Sequence, residues 1–301
     1  MEKRNKILTT AICLLALSNL AAEAGEQGHY VNGSEGIKAA SLPPPGVYWR
    51  WYNQYYQSTT LKNKQGNETP VGLDLDVFAS VNRLIWITPK KFLGADYGMD
   101  LIVPLVNTDL DLNVPGVEFD KFGLGDIVIE PLLLSWHGAQ WDAAAALGVY
   151  APTGSYSKTN PASPGKDFWT LMATAGATWY YDAAKTWSAS VLARYETHSN
   201  KDETDVRLGD DFHFEWGVGK KVNELVELGV AGYAQWQVSD DSGKDVTWNG
   251  KEHDRVFGVG PELITAVPAL GINLSLRGVF EFGAEDRPQG SIMTLTLTKP
   301  L

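Results

Sequence analysis

Apolar and polar positions alternate with a period of two along most of this chain. The pattern is clearest over residues 208–240. Phe212, Phe214, Trp216 and Val218 fall on one face, and Asp211, His213, Glu215, Gly217 and Gly219 on the other. After a polar turn at 220–224 the alternation resumes. Val226, Leu228, Val230, Gly232, Ala234, Trp236 and Val238 stand against Glu227, Gly229, Ala231, Tyr233, Gln235 and Gln237. Period two means extended strands, and two strands across a tight turn make an antiparallel hairpin. Each limb is long enough to cross a bilayer, which takes a tilted strand of about 9–11 residues. One apolar and one polar face is the pattern of a transmembrane barrel, apolar towards lipid and polar towards the lumen.

The same reading predicts strands over 47–57, 71–85, 97–107, 124–136, 141–151, 169–181, 187–196, 256–265, 272–282 and 292–298. With the hairpin these make twelve. In the second, Val71, Leu73, Leu75, Val77, Ala79 and Val81 alternate with Asp74, Asp76, Ser80 and Asn82. The expectation is therefore that Asp74 and Asp76 face the lumen. The facing of strands 3, 4 and 10 stays open. Long polar loops follow odd strands and short turns follow even ones, the rhythm of an up-and-down barrel with extracellular loops and periplasmic turns. The fold class expected is all-β, an antiparallel transmembrane barrel of about 12 strands over 46–301, with both termini periplasmic. Closure removes edge strands and pairs the backbone groups that hydrocarbon cannot solvate.

The N-terminus reads differently. Lys3, Arg4 and Lys6 precede an apolar stretch at 7–20 and an Ala22-Glu23-Ala24 cleavage site, which together predict a secretory signal peptide over 1–24. The one cysteine, Cys13, lies inside it, so the mature chain has neither disulfide nor thiol chemistry. Removal of 1–24 leaves 22 bases and 34 acids, a balance of −12 that argues against nucleic acid as a partner. No run of 18 apolar residues follows, so no membrane helix is expected. A Gram-negative outer membrane is the compartment these features point to. The 11 Trp, 12 Tyr and 10 Phe suit aromatic girdles at its two interfaces.

The candidate pathway residues are the charges assigned to the polar faces: Asp74, Asp76, Arg194, Glu196, His213, Glu215, Glu227, Arg277 and Glu281. Asp142 and Asp211 would point inward as well. The bland reading is a wet, hydrogen-bonded interior; the functional one is a charge-lined pathway. No catalytic residue is proposed, because paired carboxylates such as Asp74 and Asp76 are far commoner as spaced lumen charges than as an acid–base pair. A barrel lipase would need a Ser–His pair on the outer face, and His213 is assigned to the lumen. The five histidines (His29, His137, His198, His213, His253) show no metal-ligand spacing, so neither metal nor cofactor is expected.

Several stretches together resemble the outer-membrane family named for the meta-pathway of phenol degradation, a transporter-like group. They are GIKAASLPPPGVYWRWYN at 36–53, GLDLDVFASVNRLIWIT at 72–88, FLGADYGMDLIVPLV at 92–106, GLGDIVIEPLLLSW at 123–136, YAPTGSY at 150–156, DDFHFEWGVGKK at 210–221 and DRPQGSIMTLTLTKPL at 286–301. The resemblance implies an outer-membrane barrel associated with uptake of aromatic compounds, and carries over no substrate-binding residue. One departure is the C-terminus, Lys299-Pro300-Leu301, where such barrels usually end in an aromatic residue read by the assembly machinery. The leading function is a transporter or channel for small, hydrophobic or aromatic solutes. The alternative is a non-transporting surface barrel whose loops bind a partner; an enzyme ranks third. Partners expected are outer-membrane lipid, the solute and the barrel-assembly machinery.

Residues 25–45 show no strand alternation and end in three prolines. Twelve strands enclose a lumen between the side-chain-filled barrel of eight and the open channel of sixteen or more. The segment is therefore expected to fold back from the periplasmic side as a plug, with Ile37, Ala39, Ala40 and Leu42 to bury. A periplasmic tail is the competing expectation.

Overall fold

The computed structural model describes residues 28–112 and 118–301. The signal peptide and its cleavage site lie outside the described residues. Twelve antiparallel strands close into a barrel: β1 Gly46–Ser58, β2 Leu73–Phe92, β3 Ala95–Leu112, β4 Ile127–His137, β5 Trp141–Ala151, β6 Thr170–Tyr180, β7 Trp187–His198, β8 Asp211–Lys221, β9 Val226–Gln237, β10 Arg255–Val267, β11 Ile272–Glu285 and β12 Ser291–Pro300. Closure is made by β1, which pairs with both neighbours: Trp51 stands opposite Asn82 of β2 and Leu297 of β12. Among the described residues the one helix is a 3-10 turn, Pro268–Leu270.

The outer surface follows from the alternation. Val191, Val218, Val230, Leu263, Leu276 and Leu295 are exposed around its middle. Trp86, Trp141, Trp179 and Trp187 are exposed at the end with short turns, and Tyr55, Trp169, Tyr195 and Phe282 at the end with long loops. An apolar band between two aromatic girdles is what a bilayer with polar interfaces selects.

Two strands depart from the expected phase. In β2 the inward residues are Ala79, Arg83, Ile85 and Ile87, while Phe78, Leu84 and Trp86 are exposed. Ser80 and Asn82 therefore lie on the outer face, where the indole N–H groups of Trp51 and Trp49 donate to them at 2.8 and 3.0 Å. In β4 the register slips between Ile129 and Leu132, across Pro131. Proline has no N–H for the ladder and sits at such bulges. The extra residue flips the facing: Val128 and Glu130 are buried before it, Leu133 and Ser135 after it. The Tyr97 hydroxyl donates to the Pro131 carbonyl at 2.9 Å, satisfying one backbone group at the irregularity.

β2 and β3 are 20 and 18 residues long. They run well past the 9–11 residues or so that a bilayer needs. Their extension continues into a short strand, Glu118–Leu124, which pairs with β3. The loop expected through Asp109 is thus strand as far as Leu112.

Candidate functional site

Residues 28–45 run inside the barrel, from Gly28 near the loop rim to Pro43–Pro45 at the turn rim, where β1 begins. Along this path most residues from His29 to Leu42 find a partner on the wall. His29 lies with Nε2 2.9 Å from Asp126 and Nδ1 2.6 Å from Thr170, its ring stacked on Tyr150 at 4.7 Å. The Tyr30 amide donates to Glu196 and its hydroxyl to Glu215 at 2.8 Å, while Arg194 lies over its ring at 4.0 Å. Glu35 accepts from Tyr52 at 2.9 Å and pairs with Arg50 and Arg83. The Ile37 amide donates to Glu262 at 2.7 Å, Lys38 pairs with Glu227, and the Ser41 hydroxyl donates to Asp142 at 2.8 Å.

Glycine makes the passage possible at one place. A side chain at Gly217 would stand 2.9 Å from the Ile37 Cα, and at Gly229 2.6 Å from its Cδ1. Both glycines lie on the inward faces of β8 and β9; a Cβ at Gly217 would push the segment off the wall, and one at Gly229 would also strike the Val218 carbonyl of the neighbouring strand at 2.1 Å. Towards the turn rim the contacts become apolar: Leu42 packs on Ile85, Ile87, Leu133 and Ala146, and Ala39 against Ala144 and Leu192.

The wall carries its own charge network beneath the segment. Arg83 donates to Asp100 at 2.8 Å and to Glu130 at 2.7 Å. Arg194 pairs with Glu215, and Arg277 with Glu262 at 3.1 Å while also donating to the Gly33 carbonyl at 2.6 Å. At the loop rim Glu281 accepts from Tyr56 and Tyr233 at 3.0 and 2.7 Å. Burial pushes the carboxyl of Asp126, in the loop before β4, upward; His29 and the amides of Gly154 and Lys166 outweigh it and hold the group below the usual carboxylate range.

The sequence matches the family described as "Putative MetA-pathway of phenol degradation" over residues 58–297. The chain belongs to this family. No curated protein matches it significantly. Its fold is similar to that of the COG4313 outer membrane channel from Pseudomonas putida F1, with a TM-score of 0.78 at 13% identity, covering 91% of this chain and 100% of that one. The transport unit of the autotransporter AIDA-I from Escherichia coli is similar more loosely, with a TM-score of 0.51 at 10% identity over 94% of this chain and 96% of that one. At such identities the likeness is one of fold, and that fold is the outer-membrane barrel.

Within this family member, seven of the nine candidate pathway residues face the lumen: Arg194, Glu196, His213, Glu215, Glu227 and Arg277, all buried, and the half-buried Glu281. Asp74 and Asp76 do not. They share the outer face of β2 with Phe78, and Asp76 accepts from the outward Tyr55 hydroxyl at 2.5 Å. The phase was misassigned because the inner face of β2 is the apolar one, and its outer polar residues lie above the membrane or under indoles. Sequence reasoning also passed over Arg83, Asp100, Glu130 and Glu262. Arg83 and Glu130 lie on the two strands that depart from the expected phase, and their partner Glu35 lies in a segment without alternation.

Proposed function

We propose that this barrel is an outer-membrane channel for small hydrophobic or aromatic solutes, with residues 28–45 as its plug. The observation that carries the reading is the manner in which the segment is held. Ordering a residue costs about 1–2 kcal/mol of backbone entropy. A hydrogen bond to a charged group returns about 1.5–3 kcal/mol. Docking over residues 29–38 therefore persists only while residues such as His29, Tyr30, Glu35 and Lys38 keep their polar partners, and water can replace each of them. A segment bound in this way can be displaced without unfolding the wall.

The aromatic character of the solute is supported by the family's description and by the rings that flank the path: Tyr30, Tyr150 and Phe168 near the loop rim, Tyr56 and Tyr233 beside Glu281. Export through the signal peptide at 1–24, a Gram-negative outer membrane, insertion by the barrel-assembly machinery and a non-enzymatic role belong to the same reading. Uptake of radiolabelled phenol and of glycerol in a deletion strain and its complemented counterpart tests the solute class. The complemented strain should take up phenol several-fold faster with glycerol unchanged. Equal rates in the two strains would count against the reading.

A further inference from the structure

Two strands of the wall carry the same short pattern on their inward faces. Glu196 and His198 lie two residues apart at the end of β7, and Asp211 and His213 two residues apart at the start of β8. The ladder sets Glu196 directly opposite Asp211. Donor atoms of Glu196, Asp211 and His213 all lie within 4.8 Å of one another, and the three residues are buried. The N-terminal segment closes over them at Gly28. A Cβ there would fall 2.6 Å from the Glu196 carboxylate and collide with that of Asp211, so only glycine lets the segment pass this close to the two carboxylates.

Both ring nitrogens of His213 face oxygen acceptors. His213 Nδ1 lies 2.7 Å from the Asn32 amide oxygen, so Nδ1 carries the proton. Its Nε2 lone pair is then turned on Glu196 Oε2 at 3.1 Å. Two acceptors face each other, and only a cation on or between them makes the contact attractive. An imidazole fixed at Nδ1 by an oxygen, with Nε2 free to coordinate, is the usual state of a metal-ligating histidine. His198 differs: its Nδ1 lies 2.7 Å from the Thr170 hydroxyl, which can donate to it, and its Nε2 lies 3.3 Å from Asp211 Oδ2, so it can hold that carboxylate in place as a donor.

From these observations we propose that Glu196, Asp211 and His213 form a binding site for a first-row divalent metal ion. Metal–donor bonds of 2.0–2.1 Å in a tetrahedron set donors about 3.3 Å apart. The 3.1 Å between Glu196 and His213 is close to that edge. One imidazole nitrogen with carboxylates suits zinc and its neighbours better than calcium or magnesium, which take oxygen donors. Asn32 and His198 orient the ligands from outside. The site does not depend on solute passage, so its failure and that of the channel reading are separate.

The test uses the folded mature barrel in detergent, without a polyhistidine tag, stripped with chelator and titrated with Co2+ and then Zn2+. One equivalent of Co2+ is expected, with visible absorption bands that Zn2+ abolishes. His213→Ala and Glu196→Gln should each weaken uptake at least tenfold, and Asn32→Ala, an outer-shell change, about 10–100-fold. His253→Ala, in an exposed loop, should leave uptake unchanged. A folded wild-type barrel that takes up no stoichiometric Co2+ overturns the proposal, whether or not the variants fold. So does uptake that both ligand variants retain in full.

Discussion

At the scale of single residues, the polar groups that face lipid matter as much as those inside. Ser80 lies on the outer face of β2, and its partner is the Trp51 indole at 2.8 Å. Removing one partner of such a pair strands the other, at about 1–3 kcal/mol. Trp51→Phe should lower stability in urea by that order, and by clearly less in a Ser80→Ala background. Equal losses in the two backgrounds would place Ser80 away from the indole. Asp126 gives a second prediction. Its carboxyl is held below the ordinary value by His29 and two backbone amides. A group whose folded value lies below its unfolded one stabilises fully above the unfolded value and loses that contribution as pH falls through the folded one. The docking of His29 should therefore persist at neutral pH and loosen below about pH 4. Channel-opening frequency in planar bilayers should rise over that range, and Asp126→Asn should show the higher frequency already at pH 7.

At the scale of the strand, the alternation was enough wherever a strand's outer face is apolar and its inner face polar. The Asp211–Gln237 hairpin is read correctly residue by residue, because lipid and charge sort its side chains without conflict. It misled in β2, whose inner face is apolar because Ile85 and Ile87 pack under Leu42 of the N-terminal segment. It was silent in β4, where the bulge across Pro131 reverses the phase halfway. Both failures come from long-range contacts that no local period reports. Beyond the membrane, the extended β2 and β3 line up carboxylates in rows: Asp74 opposite Asp111 opposite Glu118, and Asp76 opposite Asp109 opposite Asp120. Like charges directly opposed cost roughly 0.2–1 kcal/mol a pair. Asp111→Asn should raise stability by about that amount at low salt, and the gain should vanish in 1 M salt as screening removes the repulsion. A salt-independent loss would mean that the row is bound up in some other contact.

At the scale of the whole molecule, twelve strands leave a lumen that side chains alone do not fill, and residues 28–45 occupy it. That the segment has apolar residues to bury could be read from the sequence. Its polar docking could not, since Glu35 meets Arg83 and His29 meets Asp126 only once the barrel closes. The same closure gathers His29, His198 and His213, which are scattered along the chain, at one end of the lumen. On the reading proposed above, the segment blocks a path which the wall leaves open. Single-channel conductance of a barrel lacking residues 26–42, with signal peptide and cleavage site kept, tests it most directly. Heat-modifiable gel mobility establishes that the shortened barrel is folded. The account predicts a several-fold rise in conductance over the full-length protein; a folded deletion barrel with unchanged conductance would contradict it.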